Sequence, residues 1–264
     1  MKRRVFLAAA LACGTLPSLS QANGYPDKPI RLIVLFSPGG TADIVARLVS
    51  DKMSAALGVT VVVDNRAGGA GGSVGTGEIM RAKPDGCTLG MATVGTLGTA
   101  PAAARHPVYD PGKSFSFISN LGRSPMHLAV GPAATATDLA KLLAQVRKQP
   151  ANSISFAIGG SGGVAHLMGA RFQFATGTHL THVPYRGASP AINDVAGGQV
   201  PILFDALTSS TPFIASGRLH ALAVSGDHRT ASLLQVPTFK ELGLPQVSTQ
   251  AWYGLIDRRA FRTT

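Results

Sequence analysis

Apolar runs of strand length alternate along this chain with segments whose apolar positions recur at helical spacing. That is the pattern of an α/β protein built on mainly parallel sheets. Ile30 to Phe36 predicts a buried strand. Thr41 to Leu57 predicts a helix with Ile44, Val45, Leu48, Val49 and Met53 on its apolar face and Gly58 as its stop. A strand over Val59 to Val63 follows, then the Gly-rich stretch Gly68 to Gly72, a helix around Val74 to Ala82, a turn at Pro84-Asp85-Gly86 and a strand over Thr88 to Thr93. These β-α units make a first lobe.

The Pro-rich stretch Pro101 to Pro111 predicts a crossing between lobes. Strands are expected over Phe117 to Asn120 and His127 to Val130, and a helix over Asp138 to Lys148 capped by Thr135 or Thr137. Ile154 to Ile158, Leu180 to Val183 and Val200 to Phe204 read as strands, with helices over Val164 to Thr176 and Pro190 to Val195 between them. A further strand is expected over Leu219 to Ser225. Thr238 and Glu241 have the spacing of a capping box for a short helix that Gly243 ends, and Ala251 to Leu255 reads as a strand. The expected division is residues 23–105 with 218–264 in the first lobe and 106–217 in the second.

The first residues change the picture of where the chain resides. Lys2, Arg3 and Arg4 precede the apolar stretch Val5 to Cys13, and Ser20-Gln21-Ala22 carries small residues where a signal peptidase cuts. Residues 1–22 read as a signal peptide of Sec or twin-arginine type, giving a periplasmic protein that starts at Asn23. Loss of residues 1–22 leaves 242 of the 264 residues and lowers the formal charge by those three cations, from +11 to +8. Cys13 leaves with the signal, so Cys87 has no partner for an internal disulfide and reads as a small buried hydrophobe. With 45% hydrophobic and 14% charged residues the chain is neither disordered nor a coiled coil. An exported chain without a basic run and with few aromatics excludes nucleic acid as a partner, and the positive charge suits anionic solutes.

Three strand-to-helix junctions place free helix N–H groups beside glycines that admit a ligand: Ser37 to Asp43, Gly159 to Gly163, and Tyr185 to Ser189. Such loops lie at the carboxyl ends of strands, where open α/β sheets bind ligands, and an anion is the natural guest. Gly159-Gly160-Ser161-Gly162-Gly163 also fits G-x-S-x-G, and Asp194 or Asp205 followed by His220 or His228 has the chain order of an α/β-hydrolase. The alternative function is therefore an exported serine hydrolase using Ser161. Other chemistries lack parts. No acidic residue ends the strand after Gly160-x-Gly162, so a dinucleotide cofactor is not expected, and Gly112-Lys113-Ser114 lacks the earlier glycine of a P-loop. His179 and His182 would point to opposite faces of a strand, which disfavours a shared metal. Glu78 and Glu241 are the only glutamates, too few for the usual carboxylate pair of a glycosidase.

The chain resembles the substrate-binding proteins of the tripartite tricarboxylate transporter family, also called Bug receptors. The resemblance is carried by YPDKPIRLIVLFSPGGTADIVAR at Tyr25 to Arg47, VVVDNRAGGAGG at Val61 to Gly72, KPDGCTL at Lys83 to Leu89 and YDPGKSF at Tyr109 to Phe115. It continues through HLTHVPYRGASPAINDVAGGQV at His179 to Val200, GRLHALAVS at Gly217 to Ser225, VPTFKELGLP at Val236 to Pro245 and WYGL at Trp252 to Leu255. It implies a two-lobed α/β fold of type II periplasmic-binding-protein kind, with a ligand cleft between the lobes. It further implies no catalysis, no cofactor and no metal. The expected guest is a small organic acid: a di- or tricarboxylate, an acidic amino acid or an aromatic acid. The expected protein is a monomer that delivers this solute to two membrane subunits.

By position in the family motifs, the first lobe would contribute Phe36, Ser37, Gly39, Gly40, Thr41 and Asp43, with Thr93 and Thr96 from a later strand end. The second lobe would contribute Gly160, Ser161, Gly162, His166, Tyr185, Gly187 and Asp205. Asp43 reads as a structural cap, because a carboxylate there would repel an anion. Asp205 would accept from a donor on the far end of the solute, and His166 sits either on an apolar helix face or at the ligand. Family members continue past the last strand into helices that return to the first lobe. Ile256 to Thr264 does not follow that pattern, which predicts a first lobe with exposed apolar surface.

Overall fold

The computed structural model describes residues Gly24–Arg259; the expected signal peptide lies outside the described residues. The elements are β1 (Ile30–Val34), α1 (Thr41–Leu57), β2 (Val61–Asn65), α2 (Ser73–Arg81), β3 (Thr88–Thr93), β4 (Phe115–Val130), α3 (Leu139–Arg147) and β5 (Ser155–Ile158). They continue with α4 (Val164–Thr176), β6 (Thr181–Pro184), α5 (Ala188–Ala196), β7 (Ile202–Ala206), α6 (Leu207–Ala215), β8 (His220–Val224) and β9 (Gln250–Arg258). Helices lie between strands as the alternation of patterns demanded.

Two sheets meet in one strand. In the first sheet β1 pairs in parallel with β2 and β3, and β9 runs antiparallel between β3 and the Phe115–Pro125 part of β4. In the second, the Met126–Val130 part of β4 is flanked antiparallel by β7 and β8, and β5 runs parallel between β7 and β6. Antiparallel pairs are thus as numerous as parallel ones, where mainly parallel sheets were expected. A chain that enters and leaves each lobe through β4 and β9 has to run against its neighbours there.

The boundaries also differ from the expected division. Pro101 to Pro111 does not cross between lobes, since β3 and the first part of β4 share a sheet. The chain crosses within β4: Pro125 is the last residue paired with β9, and Met126 the first paired with β7. Residues 117–130, read as two strands, are one. Strand β8, expected in the first lobe, pairs His220 and Val224 with Val130 and His127 in the second sheet. The capping box at Thr238 and Glu241 forms in both directions, at 3.1 and 2.7 Å, but closes a turn and not a helix.

Burial corrects one face. Helix α1 buries Thr41, Ala42, Asp43, Ala46 and Ser50, while Leu48 is 65% exposed. Small residues at 42, 46 and 50 lie one turn apart and let the helix backbone approach the sheet, so Val45 and Met53 pack only at its edge. Packing under the second lobe rests on Phe156, Phe172 and Phe204, all fully buried, with ring centroids 5.3 and 5.5 Å apart. Each contributes about 1.5–3 kcal/mol of burial. Cys87 is buried, unpaired, and its thiol is pushed up by burial. Phe117 and Ile118 of β4 are more than half exposed and line an open groove of about 480 Å³ with Leu97 and Trp252.

Candidate ligand cleft

The N-termini of α1, α4, α5 and α6 converge where the lobes meet, and in none does the N-cap residue supply a side-chain cap; in α6 the Thr208 and Ser209 N–H groups donate instead to the Ser124 hydroxyl at 3.4 Å and the Thr41 hydroxyl at 3.2 Å. Their N-cap residues are Gly40, Gly163, Gly187 and Ala206, which cannot supply one. Two other helix starts are capped by side chains: Asp138 accepts the Lys141 N–H of α3 at 2.8 Å, and Asp110 caps the short turn Pro111–Ser114. The first N–H groups of the four cleft helices have no intrahelical acceptor, and the positive ends of their dipoles face one place.

Between them lies a cavity of about 90 Å³. Phe36, Gly40, Thr41, Thr93, Gly160 and Asp205, all expected at the site, line it. Met126, Val164, Ala165, Trp252 and Tyr253 line it too. A second cavity of about 220 Å³ shares Phe36 and Gly160 with the first and brings in Ser161, Tyr185 and Arg186. Ring and glycine lie against each other, because a Cβ on Gly160 would sit 3.7 Å from the Phe36 ring.

The remaining expected residues hold the cleft together. Asp43 accepts from the Gly39 N–H at 3.0 Å, from Asn65 at 2.9 Å and from both sides of the Arg47 fork at 2.9 and 3.0 Å. Burial pulls its carboxyl upward, but these donors outweigh it and leave it below the usual range. The Ser37 N–H donates across the cleft to the Arg186 carbonyl at 3.1 Å, and Gly187 approaches Ser37 too closely for any side chain. The Gly71 N–H donates to the Ser161 carbonyl at 2.8 Å, and the Thr99 hydroxyl to that of Gly162. Thr96 is fully buried with its hydroxyl 3.2 Å from that of Thr93. His166 takes the Gly162 N–H on Nδ1 at 3.2 Å and stacks on His182 at 4.7 Å; burial and that neighbour lower its pKa. The Tyr185 hydroxyl donates to Asp194 at 2.6 Å and is pushed up to about 12 by burial and that carboxylate.

Asp205 ends β7 inside the second lobe. Its Oδ2 accepts from the hydroxyls of Ser209 and Ser210 at 2.7 and 2.9 Å. Ser209 gives its proton there, so the Thr41 hydroxyl 2.9 Å away donates to Ser209, and the first lobe is tied to the carboxylate through two hydroxyls. Burial raises the Asp205 carboxyl to about 6, with the hydroxyls and the Ala206 N–H opposing. The Asp205 carbonyl can only accept, so His127 carries its proton on Nδ1, 2.9 Å away. Full burial lowers His127 to about 4. Ser209 and Ser210 escaped the sequence reading because α6, with Thr208-Ser209-Ser210-Thr211-Pro212, carries little helix propensity.

The hydrolase alternative does not assemble. Asp205 holds serines and Asp194 holds Tyr185, while the His220 Nε2 lies 3.0 Å from the Thr137 carbonyl. The nearest imidazole in sequence to Ser161, His166, spends its Nδ1 on a backbone N–H. Ser161 therefore has no relay of base and acid among these groups.

A model of the tripartite tricarboxylate transporter family receptor matches residues 45–260. The chain belongs to that receptor family. A protein of Agrobacterium vitis from the TAR-I ttuE-ttuC' intergenic region is 37% identical over 253 residues, 95% of this chain and 72% of its own length. Among solved structures, one described as a periplasmic transporter is 43% identical with a TM-score of 0.86, covering 90% of this chain and 79% of that one. The periplasmic binding protein BugD is 35% identical with a TM-score of 0.85 at the same coverage. MatC from Rhodopseudomonas palustris with bound malate is 29% identical with a TM-score of 0.85, covering 90% of this chain and 80% of that one. The fold of this receptor is the two-lobed periplasmic-binding kind.

Proposed function

We propose that this receptor captures a small carboxylate-bearing solute between its lobes in the periplasm and presents it to the membrane subunits of a tripartite transporter. The observation that carries this reading is the convergence of three helix starts with glycine N-caps, those of α1, α4 and α5, on one small cavity. Backbone N–H groups from α1 of the first lobe and α4 and α5 of the second would hold the carboxylate directly or through water. The solute would then join the lobes in the same place as the contacts Ser37 to Arg186 and Gly71 to Ser161. Holding an anion on partial charges keeps release within reach: micromolar binding needs only about 8 kcal/mol. Malate in the related MatC supports the choice of an organic acid.

A thermal-shift screen of the purified protein with di- and tricarboxylates, acidic amino acids and aromatic acids tests the reading. A true ligand at 100 times its Kd adds about 2.7 kcal/mol, a rise of roughly 5–10 °C for a chain of this size. The absence of a shift with every organic acid would overturn the receptor reading.

A further inference from the structure

Asp205 is the one carboxylate or cation among the side chains lining the central cavity, and it is 5% exposed. The groups that meet it from the elements packed around it carry no positive charge. Thr41 comes from α1, Ser209 and Ser210 from α6, neutral His127 from β4 and Tyr253 from β9. Both serine hydroxyls go to Oδ2, which leaves Oδ1 without a side-chain donor. The hydroxyls and the Ala206 N–H offset only part of the cost of burying this carboxylate, and a cation on the guest would answer the rest.

We propose that the central cavity is built for a small zwitterion, a monocarboxylate bearing an ammonium group, with the ammonium against Asp205 and the carboxylate at the helix starts. This rests on the receptor reading and narrows it. A guest with a second carboxylate at that end would set two negative charges side by side in a low-dielectric site. The ligand chemistry of the first lobe is unchanged by this assignment; Asp205 chooses among carboxylates.

Calorimetric titration with 4-aminobutyrate, butyrate and succinate separates the possibilities, because the three share a four-carbon body and differ only at the far end. Alanine and propionate make the matching shorter pair. At pH 8, where a carboxyl near 6 is ionised, at least one amino acid is expected to bind tenfold or more tightly than its unsubstituted partner, with succinate weaker than 4-aminobutyrate. In Asp205→Asn the preference of 4-aminobutyrate over succinate should shrink at least fivefold. Succinate or butyrate binding as tightly as 4-aminobutyrate, with propionate matching alanine, would overturn the proposal while leaving the receptor reading intact. Failure of these five probes together with the wider acid screen would remove both.

Discussion

Asp43 and Asp205 stand on opposite sides of one cleft, both within 5% of complete burial, yet their surroundings treat them in opposite ways. Asp43 is met by an arginine fork, an amide and a backbone N–H, and its carboxyl sits below the usual range. Asp205 is met by two hydroxyls and the Ala206 N–H, with no cation, and sits near 6. The first carboxylate has its charge answered by the protein and fixes the loop from Gly39 to Asp43. The second is left with charge to answer, at a cost to folding, beside the space a solute would fill. Burial alone would have ranked them together; their partners set them apart.

The largest effect is expected from Asp43→Ala. It removes an ion pair whose arginine is half exposed and two further hydrogen bonds, a loss of about 2–3 kcal/mol and roughly 5–10 °C in a melt. A fall of under 1 °C would show that Asp43 is no more than a surface charge. Asp205→Asn is expected to act the other way at pH 8. A carboxyl raised from 3.8 to about 6 keeps its full stability below pH 3.8 and loses it as pH rises through 6. Two units correspond to about 3 kcal/mol, so the asparagine variant should gain about 1–3 kcal/mol at pH 8 and lose the rise in stability that the wild type shows from pH 7.5 to 5. Chemical denaturation at the two pH values decides it; a destabilised variant at pH 8 would reverse the assignment. The smallest change concerns the contact between the sides. A Cβ in Gly187→Ala would overlap the Ser37 hydroxyl and sit 2.8 Å from its backbone nitrogen. Closure should suffer more than folding, with ligand affinity falling about tenfold, or 1.4 kcal/mol, and the melt moving by less. Unchanged affinity would mean that these loops need not meet for capture.

Much of this was legible in the sequence, for local reasons. Glycine runs after apolar runs marked the loops, and Gly58 and Gly177 end α1 and α4 in the left-handed region. Asp205 was expected at the site by its position in the family motifs, after the strand Val200 to Phe204. What the sequence withheld depends on partners far along the chain. Leu121 to Pro125, between the two expected strands, has no strand pattern of its own and joins them because β9 pairs with Gly122 to Pro125 after two register shifts. Strand β8 looks like a first-lobe strand until its register with β4 is known. Leu48 was read inward because it is apolar, whereas alanines decided which face lies on the sheet. The uncapped helix starts were visible as glycines, but their convergence is a property of the fold.

Strand β4 gives the lobes a shared spine. Its neighbours change at Pro125 and Met126, so the hydrogen-bond ladder of one sheet hands over to the other within a single step of backbone. Sliding of one lobe over the other would break pairs on both sides of that step at once. Bending or twisting about it keeps all of them. The lobes are therefore joined as by a leaf spring that can bend or twist but not shear, and a solute caught between them would work against the stiffness of that strand.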